Sequence, residues 1–257
     1  MPPGEAGPAP CPARGPAMVE VLRYLDGARR AAGVAVIIDV FRAFTLAPCA
    51  FARGARWILP VATPEEAWAL KRADPDLLLA GERDGRPLPG FDFSNSPAAM
   101  LRQQLRGRTL VLRTSAGVQG LLAADHAEEV ITGSFVNAAA IVAWLQARRP
   151  SRVSLVAMGW NACEPAAEDE ACAAYLADCL RDEAPDFDAI RTRLRADPSG
   201  ARFFDPSQPW FPPEDFEACL RLSVYPFILR RARAGSGPLC LERVDVPAAA
   251  AQGARAL

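Results

Sequence analysis

The chain has 257 residues, with 29 Lys and Arg against 30 Asp and Glu, a formal net charge of −1. That balance argues against a basic nucleic-acid binder, and no apolar run reaches the about 18 residues of a membrane-spanning helix. A single histidine, His126, leaves little room for zinc or Ser-His-Asp chemistry, so an enzyme built on this chain works through carboxylates, arginines, hydroxyls, backbone amides or a hard metal ion.

Residues 1–17 are rich in Pro, Gly and Ala and lack the charged start and continuous apolar core of a signal peptide; they read as a disordered extension, with one domain over 18–257. The seven cysteines are odd in number and show no C-x-x-C. They read as reduced thiols of a cytoplasmic protein, packing as small apolar residues.

In chain order, a first strand is expected over 19–22. The run VAVII at 34–38 predicts a strand buried on both faces. A helix over 43–53 follows, with Pro48 near its start or kinking it, then a strand over 56–61. Thr63, Pro64 and Glu66 form a helix start, with an N-cap, a proline in the first turn and a capping box. That helix runs to about residue 73. A short strand over 77–80 leads into a long loop, and Ser96-Pro97 opens a helix over 97–105. Strands over 109–112, 129–132 and 153–158 alternate with a short helix ending at 124 and helices over 138–148 and 167–181. Asn137 is the expected N-cap of the second. Helices over 187–195 and 214–222 enclose an aromatic, proline-rich packed loop at 203–213, and a late strand is expected over 239–246. Residues 247–257 read as a loose tail. Alternating strands and helices define an α/β class, a three-layer α/β/α arrangement with a largely parallel or mixed central sheet.

Five strands end in polar loops, which parallel strands would align on one sheet edge, where open α/β sheets bind ligands. The loops carry Asp39 with Arg42, Glu82 with Arg83, Thr114 with Ser115, Ser134 with Asn137, and Asn161 with Glu168 and Asp169. Each has a structural reading of its own: Ser96 and Asn137 suit caps, and Glu168 and Asp169 suit a first helical turn through its dipole. Together they suggest a site for a magnesium ion and a small oxyanion, because magnesium takes oxygen ligands, one or two carboxylates plus phosphate and water. No phosphate loop of the G-x-x-x-x-G-K-[ST] type and no G-x-G-x-x-G is present, and Cys163 is a minor candidate nucleophile.

The segments IDVFRA, GERDGRPLPGFDFSNSP, TSAG, GSFVNAAA and MGW…AAEDEACAAYL resemble the 2-phosphosulfolactate phosphatase family, from about residue 18 to about 181, and FPPEDFEACLRLSVYPFIL more weakly resembles that family's closing helix and strand. The resemblance implies a three-layer α/β fold and magnesium-dependent release of phosphate from 2-phospho-3-sulfolactate, on a route to coenzyme M. Position by position it implies roles for Asp39, Arg42, Glu82, Arg83, Asn95, Ser96, Gly117, Asn137, Glu168 and Asp169. Asp39, Glu82, Glu168 and Asp169 are the candidate Mg2+ ligands, and Asp39, Arg42 and Glu82 the candidate catalytic residues. Arg83, Asn95, Ser96, Thr114, Ser115, Gly117 and Asn137 are the candidate substrate contacts for a small anionic phosphate ester. This chain departs from the family pattern at Phe44, where a threonine is usual, and at Ala116 and Val118, which replace an amide and a hydroxyl. Two alternatives stay open: an impaired family member that binds a small anion, and a phosphatase of another phosphorylated hydroxy acid. Water and Asp39 are both open as nucleophile.

Overall fold

The computed structural model describes residues 16, 18–233 and 237–247; the expected extension over 1–17 and the loose tail lie almost entirely outside them. The elements run β1 (Met18–Arg23), α1 (Tyr24–Arg30), β2 (Val34–Ile38), α2 (Ala43–Ala52), β3 (Trp57–Pro60), α3 (Pro64–Ala73), β4 (Leu78–Arg83) and β5 (Arg86–Pro87). They continue with α4 (Pro97–Met100), β6 (Thr109–Arg113), α5 (Gly117–Ala123), β7 (Glu129–Gly133), α6 (Ala138–Arg148), β8 (Arg152–Ala157), α7 (Ala167–Leu180), α8 (Phe187–Ala196), α9 (Pro198–Ala201), α10 (Pro213–Cys219), β9 (Phe227–Arg233) and β10 (Leu239–Asp245).

All ten strands join one mixed sheet in the order β1-β8-β2-β7-β9-β10-β3-β6-β4-β5. β2 lies between β8 and β7 and is parallel to both. Alternate residues of a strand face opposite sides. Accordingly Val34, Val36 and Ile38 join the core under α6 and α7, whereas Ala35 and Ile37 join the core under α1, α2 and α5. That two-sided burial is what the unbroken apolar run predicts, and it makes the three layers.

The sheet is not one parallel array. β1, β8, β2 and β7 form one parallel block, and β3, β6 and β4 form another. The β9–β10 hairpin joins them through three antiparallel pairings, so the two blocks run in opposite senses. At each junction a single residue pair is in register, Ile131 with Arg230 and Leu241 with Ile58. The expectation that parallel strands align all five polar loops on one edge is therefore corrected: the loops after β2 and β6 meet although their strands run in opposite senses.

Some boundaries differ from the sequence reading. α1 starts at Tyr24, whose φ of 61° is left-handed, directly after β1 and without a side-chain cap; nothing in the sequence marks that start. α4 ends at Met100 and α10 at Cys219, shorter than expected. β4 continues through Glu82 and Arg83. Asn137 occupies the position before α6, but its side chain makes no cap hydrogen bond. The Thr63 cap is as expected: its hydroxyl accepts from Glu66 N at 3.2 Å, and the Glu66 carboxylate accepts from Ala62 N at 3.0 Å. Cys49, Cys172, Cys219 and Cys240 are buried free thiols. Among the described residues no helix is long and apolar enough to cross a membrane.

Candidate active site

The strand β2 delivers Asp39 and the segment that follows into a cavity of ≈ 30 Å³ lined by Asp39, Phe41, Arg42, Glu82, Gly85, Asn95, Ser115, Ala116, Gly159, Trp160, Asn161, Glu168, Asp169 and Phe211. That space is about two water molecules in size. Both Asp39 oxygens are fixed by backbone donors: Oδ2 accepts from Gly117 N at 2.7 Å and Oδ1 from Ala43 N at 3.2 Å. Position 117 requires glycine, because a Cβ there would stand 2.6 Å from Asp39 Oδ2.

Three further carboxylates face the cavity. Glu82 Oε1 accepts from Ser115 N and Oε2 from Gly85 N, both at 2.6 Å. Asp169 bridges two strand ends, with Oδ1 accepting from Val40 N at 2.8 Å and Oδ2 from Gly159 N at 2.9 Å. Glu168 presents Oε2, buried and without a protein partner. Burial pushes the Glu168 carboxyl up to about 7 and the Asp39 carboxyl up to about 6. Asp169 is held well above the usual carboxylate range by burial and then by the Glu168 and Asp39 charges. Acids gathered in a dry site resist ionising together.

Arg42 faces these acids but is committed elsewhere. Its Nη1 donates to Asp215 Oδ2 at 2.7 Å and to the Trp210 carbonyl at 2.8 Å, and Nη2 donates to the Gly85 carbonyl at 2.9 Å. Both side chains of the Arg42–Asp215 pair are fully buried, and the guanidinium lies 4.6 Å from the Phe211 ring centroid. Only Nε, buried and unpartnered, is left free. Gly85, at a φ of +76° that favours glycine, serves both sides of the cavity, its N–H going to Glu82 and its carbonyl to Arg42.

The structure thus brings Asp39, Arg42, Glu82, Asn95, Ser115, Glu168 and Asp169 together around one space, with Gly117 directly behind Asp39. It places four other candidates outside. Arg83 is exposed and does not line the cavity; β4 runs through both residues, so neighbours Glu82 and Arg83 project to opposite faces. Ser96 caps α4, accepting from Ala99 N, and donates to Asp215 Oδ1 at 2.6 Å. Thr114 accepts from Val118 N. Asn137 is buried with its amide 3.4 Å from the Phe227 carbonyl. Cys163 is exposed and does not line the cavity. Sequence reasoning gave no role to Trp160, Phe211 and Asp215: they stand in segments that resemble the family, but none was singled out, and Asp215 lies 173 positions from its partner.

A cation fits this arrangement. The free acceptors at the cavity, Glu168 Oε2 and Asn95 Oδ1, are buried without partners, and the raised carboxyls signal uncompensated negative charge. Among the described residues no group of three or more His, Cys, Asp and Glu is placed to hold a metal on its own. A site of two carboxylates completed by substrate and water suits magnesium better than an all-protein cage.

Buried acids at the carboxyl ends of strands in a three-layer α/β fold, with one arginine pinned among them, define a hydrolase-type site for a small anionic ester. The family model described as 2-phosphosulpholactate phosphatase matches residues 23–197, and the chain belongs to that family. It is 33% identical over 220 residues to the "Probable 2-phosphosulfolactate phosphatase" of Bacillus subtilis (strain 168), covering 84% of this chain and 93% of that protein. A protein of the same description from Carboxydothermus hydrogenoformans is 41% identical over 128 residues, covering 49% of this chain and 53% of the relative. The counterpart from Caldicellulosiruptor saccharolyticus is 35% identical over 156 residues, covering 59% and 64%.

Proposed function

We propose that the chain is a magnesium-dependent phosphatase that hydrolyses 2-phospho-3-sulfolactate to 3-sulfolactate and phosphate. The single observation that carries the reading is the cavity's set of unpartnered atoms. Two are acceptors, Glu168 Oε2 and Asn95 Oδ1, and one is a donor, Arg42 Nε. Asn95 Oδ1 suits a cation held together with Asp39 and Asp169, Glu168 Oε2 suits a proton taken from water, and the donor suits an oxygen of the phosphoryl group.

Asp39 and Asp169 would hold the ion through the lone pairs that their backbone donors leave free. The ion supplies charge stabilisation of the phosphoryl and leaving oxygens. Arg42 Nε donates to a phosphoryl oxygen, a charge-assisted contact. Glu168, whose Oε2 is free at the cavity, takes the proton of the attacking water. The water oxygen bonds to phosphorus as the ester P–O bond breaks, and the leaving oxygen is protonated from solvent. Glu82, with three donors on its two oxygens, holds the loops after β4 and β6 together. The departures at Ala116 and Val118 remove side-chain donors but leave the Ser115 and Gly117 amides aimed at Glu82 and Asp39, which favours a working site over an impaired one.

The test is phosphate release from 2-phospho-3-sulfolactate with magnesium and with a chelator. Release that requires magnesium and falls by about three orders of magnitude in Asp39→Asn is expected, as for loss of an essential group. No release from this or any related phosphate ester in magnesium would sink the proposal. A covalent phospho-enzyme at Asp39 would replace the water route.

A further inference from the structure

The cavity that holds the carboxylates has room for an ion and reacting atoms, not for a substrate's carbon skeleton. Beside it lies a groove of ≈ 390 Å³ lined by Asp84, Arg86, Trp160, Pro198, Arg202, Gln208, Trp210 and Phe211. Trp160 and Phe211 line both spaces, so the groove continues the cavity.

Two cations stand in it. The Arg202 guanidinium lies 4.3 Å from the Trp160 ring centroid and 5.4 Å from that of Phe211. The Arg86 guanidinium lies 4.1 Å from the Trp210 centroid. Arg202 is only partly exposed. Nearly every arginine close to the cavity is spoken for: Arg42 by Asp215, and Arg113 by the Glu82 carbonyl. Among the described residues, neither Arg86 nor Arg202 makes a side-chain hydrogen bond or a close ion pair to a protein carboxylate, although Arg202 stands within reach of the Glu168 and Asp197 charges. The groove's one acid, Asp84, accepts from the Asn161 amide at 3.0 Å. Stacking on aromatic faces holds a guanidinium's plane while leaving its N–H edge free, the arrangement that meets an oxyanion bidentately.

We propose that this groove is a second anion subsite, in which Arg202, assisted by Arg86, binds a sulfonate or carboxylate on the substrate's carbon skeleton and thereby selects acidic phosphate esters over esters of neutral alcohols. The proposal rests on the phosphatase reading for its catalytic consequences, though not for binding. Arg202, Trp210 and Phe211 lie beyond residue 197, outside the stretch matched by the family model. The subsite resolves an electrostatic difficulty, since four carboxylates line the cavity and its one arginine is paired with a fifth. An anionic substrate needs a cationic rim, and free arginines supply one.

The test compares three esters in magnesium: 2-phospho-3-sulfolactate, 2-phosphoglycerate, and glycerol 2-phosphate, which has no second acid. Arg202→Met is expected to raise KM about tenfold or more for the first two with kcat within about threefold, and to leave glycerol 2-phosphate unaffected, the signature of lost ground-state binding. Arg202→Lys retains part of the effect, and Arg86→Met gives a smaller one. Arg83→Ala is the control, exposed and outside both spaces. Equal losses on all three esters, or none, would overturn the subsite. Calorimetry with 3-sulfolactate alone, without magnesium, separates the two readings. Binding that Arg202→Met abolishes supports the subsite even if no ester is hydrolysed. No binding to the unaltered protein, or equal binding to both, overturns it.

Discussion

Asp215 makes the most demanding contacts of any residue around the cavity. One oxygen takes the Arg42 guanidinium, and the other takes the Ser96 hydroxyl and Ala98 N, at 2.6 and 3.0 Å. Removing one partner of a buried pair leaves a charge without compensation, a cost of about 3–5 kcal/mol. Asp215→Ala is therefore expected to lose that much stability in a denaturant titration and to lose phosphatase activity with it; a variant as stable as the parent would contradict the account. Asp39 and Arg42 were legible because they follow the buried strand at a fixed short spacing. Asp215 was not: its helix resembles the family's closing helix, but no spacing ties it to Arg42, and only the fold sets the two together. Arg83 was misread for a residue-scale reason as well: extending β4 by three positions turns it away from Glu82's face.

Local signals fixed some elements and not others. The α3 start was legible because Thr63, Pro64 and Glu66 each satisfy a separate requirement of a helix N-terminus. Its hydroxyl accepts from Glu66 N while the Glu66 carboxylate accepts from Ala62 N, and neither residue lines the cavity. Thr63→Ala is expected to cost about 1 kcal/mol with activity unchanged, read from the denaturation midpoint and from phosphate release. A loss of activity larger than the loss of folded protein would mean that α3 bears on the site. The aromatic segment between α8 and α10 was readable as packed: Phe203 lies within 6.0 Å of Phe41, Phe211 and Phe216, centroid to centroid. That it walls the active site was not readable, since aromatic composition signals burial without naming the neighbour. α1 left no trace because a left-handed tyrosine starts it.

At the scale of the whole molecule, the chain buries a cluster of acids around one cavity. Each folded-state carboxyl displaced upward contributes stability that is full below its unfolded pKa and lost as pH rises through its folded value. For Asp39 the window ends at about 6 and for Glu168 at about 7. In metal-free solution Glu168→Gln is therefore expected to match the parent near pH 5 and to exceed its stability near pH 8, by up to about 3 kcal/mol from the size of the shift. Thermal melts in chelator at the two pH values check this. A variant less stable than the parent at pH 8 would show that Ser199 and Arg202 compensate the Glu168 charge by more than burial opposes it.

The arrangement of the sheet also dictates an order of events during synthesis. β9 and β10 lie between β7 and β3, yet at Phe227–Arg233 and Leu239–Asp245 they come last in chain order among the described strands. Until that hairpin leaves the ribosome, the two parallel blocks have no strand to share and their edges stay unpaired. Long-range pairing of this kind is slow and exposes strand edges to misassociation. Asp39 and the loop that seats it at Gly117 belong to different blocks. The candidate cavity spans both blocks, so a nascent chain that stalls before the hairpin holds every candidate carboxylate while the strands that join the two blocks are still missing.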